Sequence, residues 1–242
     1  MTRLGACVLA ALLLTGCSGG SERHPVVYAA SSLTQVFERL EPDARYDFAG
    51  SNALALQLEQ GAPADVYAAA SPKYPRGLYA KGLIEKPRVF ATNTLVLIVP
   101  RGNPGRVSGL VSLLRPQVTL VRGANGVPVG DYTETVLERW CRSLPRGPCP
   151  RARDSEEPDV KSVVAKVALG EADAGFVYAT DVKPLAGKVR VIRIRRALQP
   201  TIRYPIAVVR STKHRKQAEA FVRLMLGSRG RAALRSAGFG LP

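Results

Sequence analysis

Hydrogen-bond donors stand at three points where an apolar run gives way to a turn: Ser32, Ser51 and the turn of residues 127–130. Hydroxyls and the unpaired N–H groups of a helix N-terminus suit an anion, because they offer protons and partial positive charge together. A site of neutral donors alone can hold a fully deprotonated oxyanion without a counter-charge. Each junction by itself is weak, since a serine before a helix is an ordinary cap. Other chemistry finds less support. There is no Gly-x-Ser-x-Gly elbow, and the 2 histidines, His24 and His214, are expected to be solvated rather than paired with a nucleophile. Glu156 and Glu157 fall in a polar, Pro-flanked stretch that reads as a solvated loop. A hydrolase is therefore the lesser reading, with no catalytic residue, no directly coordinated metal and no cofactor expected.

Strand-like and helix-like segments alternate along the chain, which implies an α/β fold with mainly parallel sheets. Residues 26–30 read as a buried strand, and Leu33, Val36, Phe37 and Leu40 follow at helical spacing. Ser32 with Gln35 fits a capping box. A second unit runs from a strand at 46–49 through Gly50-Ser51-Asn52 into a helix over 53–60, stopped by Gly61. Further strands are expected at 64–69, 94–99, 118–121, 174–178, 189–194 and 204–209. One helix carries Tyr132, Val136, Leu137 and Trp140, and another carries Val160, Val163, Val164 and Val167 up to Gly170. Two more lie near 218–226 and 229–236. In open α/β sheets ligands gather beyond the carboxyl ends of the strands, where all three donor groups fall.

Longer segments tie these junctions together. Tyr28-Ala29-Ala30-Ser31-Ser32-Leu33-Thr34, Phe48-Ala49-Gly50-Ser51-Asn52-Ala53-Leu54-Ala55 and Gly61-Ala62-Pro63-Ala64-Asp65-Val66 resemble successive signatures of the periplasmic molybdate-binding proteins of ABC importers. The likeness continues through Val127-Pro128-Val129-Gly130-Asp131-Tyr132, Gly170-Glu171-Ala172-Asp173-Ala174-Gly175-Phe176-Val177-Tyr178 and Tyr204-Pro205-Ile206-Ala207-Val208-Val209. It implies a type II periplasmic-binding fold: two α/β lobes with mixed, mainly parallel sheets, joined by two crossing strands near 91–94 and 199–204. Lobe 1 would comprise 25–91 plus 203–242, and lobe 2 would comprise 92–202. The resemblance further implies high-affinity binding of molybdate or tungstate and delivery to the permease and ATPase of an ABC importer. Sulfate or another oxyanion is the alternative ligand. The positions matching the family's anion donors are Ser32, Ser51, Val129, Val160 and Tyr178, the two valines acting through backbone N–H alone. One stretch departs from the pattern: Arg122-Gly123-Ala124-Asn125 replaces a Gly-Asp-Pro turn and is one residue shorter. Arg122 then either points outward or adds positive charge near the anion.

The ends and the composition place the chain. Residues 4–14 are almost wholly apolar after Arg3, too short for a span of about 20 residues and suited to a signal-peptide core. Leu14-Thr15-Gly16-Cys17 resembles the lipobox of bacterial lipoproteins. That makes 1–16 a signal peptide, Cys17 the lipidated residue and 17–24 a flexible linker, with the protein extracytoplasmic and held at a membrane. Cys141 and Cys149 flank a Pro/Gly loop and are expected to form a disulfide, as suits an exported chain. The net charge of +16 comes largely from arginines scattered among few aromatics. With export, this argues against nucleic acid, while a positive field raises the encounter rate with an anion. A monomer is expected.

Overall fold

The computed structural model describes residues 24–144, 155–185 and 187–242. The expected signal segment, Cys17 and Cys149 lie outside them. The chain opens with β1 (Val26–Ala30), a 3-10 turn at Ser31–Leu33, α1 (Thr34–Leu40), β2 (Arg45–Ala49) and α2 (Ser51–Glu59). It continues through β3 (Val66–Ala68), α3 (Lys73–Ala80), β4 (Arg88–Asn93), β5 (Leu95–Pro100), β6 (Leu120–Gly123) and α4 (Pro128–Arg142). Then come β7 (Ser155–Glu157), α5 (Val160–Leu169), β8 (Ala174–Tyr178), the short α6 (Ala179–Val182) and β9 (Val189–Arg193). Strand β10 (Ile202–Val208) and helices α7 (Arg215–Leu226) and α8 (Ser228–Ala237) complete it.

These strands form two five-stranded sheets, in the orders β2-β1-β3-β10-β4 and β7-β6-β8-β5-β9. In the first, β1 runs parallel to β2 and β3, whereas β10 runs antiparallel to β3 and β4. The second repeats the arrangement, with β6 parallel to β7 and β8, and β5 antiparallel to β8 and β9. The sheets are thus mixed, but parallel pairs do not outnumber antiparallel ones. Parallel neighbours need a crossover connection, which the helices here supply. By contrast, β5 and β10 enter their sheets from the other sheet, so nothing forces that direction on them. The chain leaves the first sheet at Asn93 and joins the second at Leu95, with Thr94 between. It returns through residues 199–201. Both passages are stitched together: the Gln199 side chain accepts from Leu95 N–H (3.0 Å) and donates to Leu95 C=O (2.7 Å), and Ile202 pairs with Asn93.

Packing follows the apolar stripes. Phe37 of α1 meets Phe221 of α7 edge-on at 5.3 Å and Phe90 of β4 at 6.0 Å, closing one face of the first sheet. Leu54, Tyr67, Leu78 and Ile84 fill its other face. Burying one such side chain contributes about 1.5–3 kcal/mol. In the second sheet a Cβ on Gly175 would lie 2.8 Å from Val167 and 3.0 Å from Val163, so the valine stripe of α5 sits directly on the β8 backbone.

Several local expectations change. The Ser32–Gln35 capping box does not form, because Ser32 lies inside the 3-10 turn and α1 starts at Thr34 with no side-chain cap. Helix α2 begins two residues early, at Ser51 itself. Glu156 and Glu157 belong to strand β7 rather than a loop, and buried Glu157 meets Lys166 Nζ at 2.6 Å. His214 is not simply solvated, since its Nδ1 lies 3.3 Å from buried Asp65. That carboxylate also receives the Val26 N–H at 2.7 Å, so the group staples the C-terminal helices to the start of β1.

Candidate functional site

Five parallel strand ends converge on one small buried cavity. Ser32 follows β1, Ser51 follows β2, Val129 lies beyond β6, Val160 lies beyond β7, and Tyr178 ends β8. All five line the cavity, and each is nearly inaccessible to solvent. Helices α2, α4 and α5 point their N-termini at it. The first N–H groups of a helix have no intrahelical acceptor, and neither α2 nor α4 has a side-chain cap to consume them. Pro128 opens α4 and has no N–H, so Val129 supplies the first donor there. In α5 the Asp159 carboxylate takes the N–H groups of Lys161 (2.7 Å) and Ser162 (3.0 Å). That leaves Val160 N–H as the donor of this terminus. Asp159 also lines the cavity, but Oδ1 is occupied by the cap.

The hydroxyl groups are oriented by what they accept. Ser51 Oγ accepts the Ala70 N–H at 3.0 Å, which leaves its own proton free to point elsewhere. Ser32 Oγ lies 3.1 Å from Tyr204 Oη, which in turn receives Asn93 Nδ2–H at 3.3 Å. Either oxygen can be the donor between Ser32 and Tyr204; where Tyr204 donates, the Ser32 proton is free to turn to the cavity. Asn93 is itself fixed, accepting from Thr94 N–H (2.9 Å) and donating to Thr180 Oγ1 (2.9 Å). A hydrogen-bonded chain therefore runs from the crossing strand to the cavity wall. Tyr178 completes the set: its ring packs edge-on against Tyr204 at 5.8 Å, and its buried hydroxyl has no hydrogen-bond partner among the described residues. Burial pushes both phenols well above their ordinary range, so each keeps its proton and can donate.

Glycines let the walls close. A Cβ on Gly50 would lie 2.4 Å from the Pro158 carbonyl oxygen, so the α2 terminus abuts the loop before α5. Gly130 is held as tightly, 2.3 Å from Gly123 O by the same construction, which presses the α4 terminus onto the end of β6. Further contacts span the two sides at the rim. Lys73 Nζ of α3 meets Asp131 Oδ2 of α4 at 3.0 Å, and Tyr74 Oη donates to Gly126 C=O.

Arg122 follows neither expectation. It is buried, not outward, and it does not line the cavity. Its guanidinium meets Glu134 (2.6 Å) and Glu156 (3.1 Å), so its charge is balanced within its own lobe. The shortened turn still delivers Val127 to α4, with Gly126 taking the left-handed conformation (φ 85°). Tyr204, Asn93 and Gly50 make contacts at the cavity that residue types alone did not announce. Asp159 was legible, since an Asp before the Val160–Val167 stripe is an N-cap signature. Asp181 is a fourth unanticipated group: wholly buried after Tyr178, it lies 3.4 Å from Lys161 Nζ, and burial pushes its carboxyl up to about 6.

Residues 25–240 match the family model described as "Bacterial extracellular solute-binding protein". The molybdate-binding protein ModA of Mycobacterium tuberculosis (H37Rv) is 35% identical over 230 residues, covering 91% of this chain and 85% of the relative. A Bacillus subtilis protein described as an ABC transporter substrate-binding lipoprotein is 29% identical, covering 89% and 88%. In fold, the chain is similar to the periplasmic molybdate-binding protein of Azotobacter vinelandii, with a TM-score of 0.74 at 21% identity over 90% of this chain and 100% of that one. The chain belongs to the bacterial extracellular solute-binding proteins, in the group that includes the molybdate-binding proteins; these are binding proteins, not enzymes.

Proposed function

We propose that the chain captures molybdate or tungstate outside the cytoplasm and delivers it to the permease and ATPase of an ABC importer. The observation that carries this reading is the convergence of three helix N-termini and the hydroxyls of Ser32, Ser51 and Tyr178 on one buried cavity whose described lining holds no cationic side chain. In this reading Ser32, Ser51 and Tyr178 donate through hydroxyls, and Val129 and Val160 through backbone N–H. Such donors suit an anion that keeps no proton at neutral pH. Hydrogen bonds to a charged group contribute about 1.5–3 kcal/mol each, so five converging donors support sub-micromolar affinity. No cofactor takes part. The M. tuberculosis relative, named for molybdate, supports the choice of ligand.

The monomer is anchored through a lipid on Cys17, a reading the Bacillus relative's description supports, and Cys141 bonds with Cys149. Isothermal titration of the mature chain should give tight one-to-one molybdate binding that tungstate competes for and sulfate does not. Absence of heat with both metal oxyanions would sink the proposal, and tight sulfate binding would reassign the ligand. For the anchor, Cys17→Ser should move the protein from the membrane fraction to the soluble one.

A further inference from the structure

A second and larger cavity, about 300 Å³, lies on the other side of Ser32. Its walls come from both lobes: α1 and α8 on one side, and α5, α6 and the residues after α6 on the other. Three cations line it, Arg39, Lys161 and Lys183, and none of its described lining residues is acidic. Their charges are unequally engaged. Lys161 faces Asp181 at 3.4 Å. Among the described residues Lys183 donates only to the neutral carbonyl of Ser236. Arg39 has no hydrogen-bond or ion-pair partner among the described residues. Val36, Ala233, Ala237 and Phe239 give the lining an apolar part, beside the polar Gln35, Thr180 and Ser236.

We propose that this cavity is a second anion site, which takes a small organic dianion whose two carboxylates reach Arg39 on one wall and Lys183 on the other. The volume is at the lower end for ligand pockets, roughly 300–1,000 Å³, and suits a ligand of a few carbons. An inorganic oxyanion would leave the apolar part of the lining unused, whereas a short hydrocarbon spacer covers it. The occupant bridges both lobes, so it favours the closed arrangement. Because Ser32 lines both cavities, occupancy here tightens the oxyanion site, and by linkage the oxyanion tightens this one by the same factor.

The test is calorimetric titration of the mature chain with succinate, and separately with inorganic phosphate, each with and without saturating molybdate. Succinate should bind one-to-one, and more tightly when molybdate is present. In the double variant Arg39→Ala/Lys183→Ala that binding should weaken tenfold or more, while molybdate affinity without succinate stays within threefold. Both side chains are exposed, and a thermal melt confirms that the variant folds. No succinate binding, or binding unchanged in the variant, overturns the proposal. So does succinate binding abolished by molybdate, which would put the dianion in the first cavity. Phosphate binding as tight as succinate overturns the organic assignment. The arm without molybdate keeps the succinate result readable even if the oxyanion reading fails.

Discussion

Replacing Tyr178 by Phe separates a binding role from a structural one, because the two roles move stability in opposite directions. The Tyr178 hydroxyl is buried and makes no hydrogen bond among the described residues. A buried polar group left unpaired costs about 1–3 kcal/mol. Phe keeps the ring and therefore the edge-on contact with Tyr204 at 5.8 Å. Without ligand, Tyr178→Phe should leave stability unchanged or raise it by about 1–3 kcal/mol. With ligand the sign reverses. A donor to a charged acceptor contributes about 1.5–3 kcal/mol, so molybdate affinity should fall by roughly 10- to 150-fold. Urea unfolding of the ligand-free protein gives the first quantity and calorimetric titration the second. A variant that is less stable yet binds molybdate as well as the parent would refute the reasoning, since the hydroxyl would then serve the fold alone.

Three further substitutions probe the remaining wall and its surroundings. Ser51→Ala removes a donor and strands the Ala70 N–H now bonded at 3.0 Å, so molybdate affinity should drop tenfold or more and stability by about 1–3 kcal/mol; unchanged affinity in the titration counts against the site. In Gly50→Ala the new Cβ would meet the Pro158 carbonyl at 2.4 Å, forcing the two sides apart, and affinity should fall at least tenfold although α2 itself tolerates alanine; a variant of parental affinity would show that this approach is not needed for binding. Asp181 sits at about 6 in the fold, above the ordinary value near 3.9, because burial disfavours its charge. The native chain therefore binds this proton more tightly than the unfolded chain. The resulting penalty is full above about pH 6 and disappears as pH falls through about 6 toward 4. That displacement corresponds to on the order of 3 kcal/mol, so Asp181→Asn should be the more stable protein at pH 7.5 and lose the advantage near pH 4 in urea melts. Equal stability of the two proteins at pH 7.5 would dismiss the buried charge as a cost.

Alternation of strands and helices was legible in the chain because buried strands and amphipathic helices write different apolar periods. The runs at Val26–Ala30, Ala174–Tyr178 and the stripe of Val160–Leu169 needed no further information. Helix α3 was harder to see, since Pro75 and Gly77 interrupt its pattern and only Pro75 and Leu78 are buried. Strand β7 was hidden for another reason. Ser155-Glu156-Glu157 is polar, and it is held at a sheet edge by pairing with β6 and by the Arg122 and Lys166 ion pairs. Parallel and antiparallel pairs could not be apportioned from periods, because period reports burial and not strand direction.

The donor positions Ser32 and Ser51 stand out as residue types at strand-to-helix junctions, and the chain by itself determined that such junctions exist and where. Val129 and Val160 came only from the family likeness, since a backbone donor leaves no mark in the side chain. What the tertiary structure decided is which polar groups meet the donor positions. Asn93, Tyr204 and Ser32 are 111 and 172 positions apart in pairs, and only the juxtaposition of β10 with the first crossing strand joins them into one hydrogen-bonded chain. The same holds for Arg122, whose side was open in the sequence and was settled by Glu134 and Glu156. Local sequence sets period, caps and turns, because these depend on neighbours along the chain. Charge balance and hydroxyl direction depend on neighbours in space, and these exist only once the sheets have formed.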